Sequence, residues 1–95
     1  MRDYELVMVL SPEVSEDNLS LILDSVGKFI TEQGGTVAEV NQWGMRRLAY
    51  PIKRFVEGKY VLARLTFEPG VAAELEASLK LREEVLRCLL VRVGD

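Results

Sequence analysis

The side chains best suited to chemistry lie in one short run, Gly44-Met45-Arg46-Arg47-Leu48-Ala49-Tyr50-Pro51-Ile52-Lys53-Arg54, which sets four cations around a tyrosine. A guanidinium fork matches phosphate oxygens two at a time and keeps its charge at any physiological pH. In an extended chain consecutive side chains point to opposite sides. Arg46 and Arg47 would therefore address two surfaces, one a polyanion and the other a protein. Tyr50 adds a ring to pack and a hydroxyl to hydrogen-bond. Charge is strongly uneven along the chain. Residues 1–45 hold two basic and eight acidic groups, whereas residues 46–64 hold six basic groups and one acid, Glu57. The chain carries −3 overall, yet a local positive stripe binds a polyanion through its own potential. A second reading stays open: the same charges are solvated and guard a sheet edge against pairing with another chain.

Other chemistries find no support. The chain has no histidine, so no Ser-His-Asp set, Cys-His pair or histidine metal site can be assembled. Its single cysteine, Cys88, sits in the apolar run Val85-Leu86-Arg87-Cys88-Leu89-Leu90-Val91 and reads as a small buried hydrophobe. No internal disulfide is possible, which suits a reducing compartment. The loop Ser11-Pro12-Glu13-Val14-Ser15-Glu16 is acidic and lacks glycine, so it would repel a phosphate where acylphosphatases of related topology bind one. No cofactor and no metal are expected. The start, Met1-Arg2-Asp3-Tyr4-Glu5, is charged where a secretory signal is apolar, and no apolar run approaches the ~20 residues of a membrane span. A cytoplasmic protein is expected.

These residues must be positioned by few elements. Ninety-five residues suit a single domain, 1–95, with no separate linker or tail. Alternation predicts a strand over Tyr4–Leu10, with Leu6, Met8 and Leu10 on one side and Glu5, Val7 and Val9 on the other. Ser15 is a fitting N-cap for a helix over 16–33, with Leu19, Ile22, Leu23, Val26 and Ile30 on one face and Gly34-Gly35 as its stop. Thr36 to about Asn41 reads as a strand, Gly44 as a bulge, and Arg46–Ile52 as extended again, at an edge because Pro51 lacks an N–H. Residues 53–58 read as a polar connection ending at Gly58. Lys59–Phe67 alternates cleanly as a strand, Pro69 opens a second helix with Ala72, Leu75 and Leu79 inward, and Val85–Val93 is the last strand. The order β-α-β-β-α-β predicts an α+β, ferredoxin-like fold: a four-stranded antiparallel sheet with two helices on one face. Right-handed crossovers place the first and third strands centrally. Leu6, Met8, Val26, Ile30, Leu65, Leu75, Leu79 and Leu90 are the expected core. The uncovered face would carry Val7, Val9, Tyr60, Leu62, Arg64, Arg87, Leu89 and Val91, an apolar partner surface mixed with arginines unless a loop or the C-terminus covers it. One aromatic on the third strand is too few for readout by base stacking.

The run Gly44 to Lys53 resembles the signature of the bacterial small-subunit ribosomal protein family conventionally numbered six: Gly, any residue, two basic or polar residues, Leu-Ala-Tyr, any residue, Ile, basic. The opening Met1-Arg2-Asp3-Tyr4-Glu5 and the acidic loop before the first helix are similar as well. The resemblance covers nearly the whole chain. It implies a ribosomal, non-catalytic protein that binds the central domain of 16S ribosomal RNA. It would do so as a heterodimer with the small-subunit protein numbered eighteen, docked along the second-strand side. Among the matched positions Arg2, Arg46, Arg47 and Lys53 would form the composite surface. Tyr50, Arg54, Arg87 and Arg92 join them from the reading of the residues themselves. Asp3 departs from a position that is basic in some members, which weakens an N-terminal phosphate contact. The rival reading is a ferredoxin-like regulatory module that dimerises and binds a small ligand.

Overall fold

The structure, a computed structural model, describes residues 1–94. Its elements are β1 (Arg2–Leu10), α1 (Glu16–Glu32), β2 (Thr36–Ile52), β3 (Phe55–Phe67), a 3₁₀ turn (Pro69–Val71), α2 (Ala72–Lys80) and β4 (Val85–Val93). The sheet is antiparallel throughout, in the order β2-β3-β1-β4. The ferredoxin-like architecture and the central placement of β1 and β3 are as the sequence predicts.

Local sequence explains the helix between the first two strands. The Ser15 hydroxyl oxygen accepts the Asn18 N–H at 3.1 Å, and Glu16 and Asp17 occupy the positive end of α1. Leu19, Ile22, Val26 and Ile30 form its buried stripe. Past the last turn Gly34 adopts a φ of +82°, and Gly35 lies where a Cβ would collide with the Thr66 carbonyl. Glycine here lets the chain turn straight into β2 against β3. The core lies between the helices and one sheet face. Tyr4, Leu6, Met8 and Leu10 of β1 and Val61, Ala63, Leu65 and Phe67 of β3 meet the apolar stripes of α1 and α2. The Tyr4 and Phe67 rings stack with centroids 4.2 Å apart.

Several expectations need correction. Residues 53–58 are not a polar connection. Only Lys53 and Arg54 turn, both at positive φ (50° and 77°), and β3 begins at Phe55. The result is a β2–β3 hairpin with a two-residue turn, whose left-handed residues match the twist of the flanking strands. It extends well past β1, which ends opposite Lys59. β2 is one strand, with a register shift between Gln42 and Gly44 where Gly44 (φ +80°) makes the expected bulge. Leu90 and Cys88 pack against the core only as half-buried residues, because β4 is an edge strand with nothing beyond it. Val9, expected on the uncovered face, is buried.

Burial pushes the Cys88 thiol up, and Glu76 adds to that while Lys80 opposes it. The folded protein thus favours the neutral thiol. Any stability this contributes is present below the unfolded thiol's pKa and is lost as pH rises through the folded value. Iodoacetamide at mildly alkaline pH should therefore alkylate the native chain more slowly than the urea-unfolded chain. Equal rates would place the thiol in open solvent.

Candidate nucleic-acid interface

The structure divides the basic stretch into tied and free groups. Lys59 turns inward: its Nζ donates to the Val14 carbonyl at 2.6 Å and lies 3.7 Å from Glu16. Arg64 sits between Glu5 (3.5 Å) and Glu39 (3.8 Å) on the face away from the helices. Neither is available to a polyanion without breaking a contact. Arg54 lies over the Phe55 ring at 4.8 Å and reaches Glu13 at 3.9 Å, but both charged groups are exposed, so the pair is weak and exchangeable. Among the described residues Arg2, Arg46, Arg47, Lys53 and Arg92 make no ion pair, and all five are exposed.

Register sets the directions of the two central arginines. Arg46 stands opposite Gly58 and Arg47 opposite Glu57. Cross-strand partners share a face, and β3 alternates so that Gly58 lies with Tyr60 on the uncovered side and Glu57 with Lys59 on the other. Arg46 and Arg47 thus project to opposite sides of the edge strand, as expected, with no side chain at Gly58 to crowd Arg46. Lys53 and Arg54 cap the same hairpin and face the β1–α1 loop and the turn before β4 across an open cleft of about 440 Å³ lined in part by Glu13, Glu83 and Glu84. Arg2 lies at the far end of β1, opposite Phe67, and Arg92 lies on the far edge strand opposite Tyr4. The structure therefore gathers Arg46, Arg47, Lys53 and Arg54 on one hairpin and leaves Arg2 and Arg92 apart from it.

Two further candidates are engaged with each other. Arg87 Nη1 donates to the Tyr50 hydroxyl at 2.7 Å, joining opposite edges of the sheet. The residue reading missed the apolar half of the hairpin surface. Val40, Trp43 and Met45 of β2 and Val56 of β3 are between 42% and 51% exposed, interleaved with the arginines. The signal was present in the sequence: Val40, Trp43 and Met45 fall on the strand already expected at the sheet edge.

The sequence profile described as Ribosomal protein S6 matches residues 3–92. The chain belongs to the ribosomal protein S6 family. It is 40% identical to the small ribosomal subunit protein bS6 of Moorella thermoacetica, over 100% of this chain and 97% of that one. It is 41% identical to bS6 of Dictyoglomus turgidum, over 95% of this chain and 93% of that one. The crystal structure of 30S ribosomal protein S6 from Thermotoga maritima is similar with a TM-score of 0.88 at 32% identity, covering 96% of this chain and 86% of that chain. As an S6-family chain it is a structural component of the small ribosomal subunit in the cytoplasm and not an enzyme. The regulatory-module alternative gives way to this membership. The run Gly44 to Lys53 falls on the hairpin: Gly44 is its bulge, Arg46 and Arg47 are cations without an ion pair among the described residues, Tyr50 makes the cross-sheet contact and Lys53 opens the turn.

Proposed function

We propose that this chain binds the central domain of 16S ribosomal RNA as a heterodimer with the small-subunit ribosomal protein numbered eighteen. The β2–β3 hairpin supplies both contact surfaces. The observation that carries this reading is the pair Arg46 and Arg47, exposed, without an ion pair among the described residues and aimed to opposite sides of one edge strand. Arginine forks take phosphates, with Lys53 and Arg54 extending the positive surface around the turn. The exposed apolar residues suit a protein partner: by register Val40 (opposite Ala63) and Met45 (opposite Lys59) lie on the helix side of the hairpin, Val56 on the other side and Trp43 at the register shift, and aromatic and apolar residues beside arginines have the composition of an interface centre. Arg2 and Arg92 are outlying contacts. The mechanism is scaffolding: a stiff sheet holds cations against the backbone of folded RNA, which reads shape more than base sequence.

Few free cations mean few phosphate contacts, so this chain alone binds RNA weakly and the partner adds the missing charge. Titration of a central-domain RNA fragment with the chain, the partner and both together, across a salt series, tests this. Tight binding is expected only from the pair, with each neutralised phosphate adding roughly 0.7–0.9 to the slope of log affinity on log salt. Tight binding by the chain alone, unchanged when the partner is added, would refute the composite site.

A further inference from the structure

β2 and β4 are opposite edges of the sheet, separated by β3 and β1. In a flat sheet three strand spacings put such edges roughly 14 Å apart. Arg87 is level with Gly44 through Val9 and Tyr60, so Tyr50 would lie a further six residues, roughly 20 Å, along β2, beyond the joint reach of the two side chains. Yet the Tyr50 hydroxyl accepts from Arg87 Nη1 at 2.7 Å. The end of the hairpin must therefore curl across the end of β1 toward β4. Three independent observations agree with this path. Val9, on the sheet face that carries no helix, is only 5% exposed. A Cβ on Gly58 would come within 2.7 Å of Val9 Cγ1 and 2.9 Å of the Leu10 carbonyl, so the hairpin passes β1 at a distance only glycine allows. Leu48 is the one buried residue of β2, and like Val9 it lies outside the cluster between helices and sheet.

We infer that Arg87 and Tyr50 form a clasp that holds the curled hairpin and so sets the direction in which Arg46, Arg47, Lys53 and Arg54 are presented. Arg87 is then a positioning residue that acts through Tyr50 rather than a phosphate contact. This inference rests on the RNA-binding reading for its consequence but not for the clasp itself. The hairpin beyond β1 has no third strand beside it, and its turn holds two non-glycine residues at positive φ, each carrying strain. A tether at Tyr50 keeps such a segment in one arrangement, which lowers the ordering cost of binding.

Hydrogen exchange on Tyr50→Phe, Arg87→Ala and Arg87→Lys, combined with salt-dependent binding to the RNA fragment in the presence of the partner, tests the clasp. Tyr50→Phe keeps the ring and removes the acceptor. Expected are roughly tenfold faster exchange of amides 47–57 with α1, β1 and residues 59–67 unchanged, severalfold weaker assembly, and the same salt slope. Arg87→Ala should do the same, and Arg87→Lys, which keeps a donor, should restore part of both. Unchanged exchange in Tyr50→Phe would overturn the clasp, whatever the RNA result. A slope reduced by about 0.7–0.9 in Arg87→Ala but not in Tyr50→Phe would make Arg87 a direct phosphate contact instead. If no variant and no wild-type complex bound RNA while exchange still rose, the functional reading would fail and the clasp would stand.

Discussion

Replacing Arg46 and Arg47 together with alanine is expected to weaken joint RNA and partner binding about a hundredfold while leaving the fold intact. Both side chains are exposed and touch no carboxylate among the described residues, so their removal should change stability by no more than about 0.5 kcal/mol. Their loss at an interface differs, since hydrogen bonds to charged groups contribute about 1.5–3 kcal/mol each. Because the two project to opposite sides of β2, the single variants should separate. The one facing RNA lowers the salt slope by about 0.7–0.9, and the one facing the protein lowers heterodimer affinity with the slope unchanged. Urea denaturation and fluorescence titration check both halves. A double variant that assembles normally would show that the arginines only guard the edge of the sheet.

Much of this was legible from the residues because local signals agreed. Ser15, the periodicity of Leu19 to Ile30 and the Gly34-Gly35 stop all point to α1, and the alternation of Lys59–Phe67 states which side of β3 faces the helices. The misreadings have physical causes. The hairpin turn carries Lys53-Arg54 where Asn-Gly would have announced it, so the sequence suggested a loop and shortened β3 by four residues at its start. Leu90 is as apolar as Leu6, but the strand order expected from right-handed crossovers already put it on an edge strand, where one flank stays open. The basic stretch looked uniform because ion pairs such as Arg64 with Glu5 join residues far apart in the chain. Nothing local could reveal that Tyr50 and Arg87 meet, for the same reason.

Phe67→Ala is expected to be the most damaging single core change. Phe67 is fully buried and its ring lies flat against Tyr4, with 3° between the planes. Truncating a buried phenylalanine costs about 3–5 kcal/mol through lost transfer energy and the cavity left behind. A chain of this length has about 5–14 kcal/mol of stability in total, so the variant should lie near the edge of unfolding. Its thermal midpoint should fall by more than about 12 °C, given a shift of about 4–8 °C per kcal/mol. Circular dichroism suits this measurement better than fluorescence, because Trp43 is already 46% exposed in the folded chain. A loss below about 1 kcal/mol would mean that the rings do not pack as described. Because β1 and β3 set the frame from which the hairpin extends, the same variant should lose RNA assembly in proportion to its unfolded fraction and no further.

Solvent protection on assembly goes to the heart of the account. Hydrogen exchange would be followed for the chain alone and within the complex formed with the partner protein and the central-domain RNA fragment. New protection should concentrate on β2 and the turn at Lys53-Arg54, with the outer surfaces of α1 and α2 unchanged. Protection confined to the helices, with residues 40–56 exchanging as in the free chain, would contradict it.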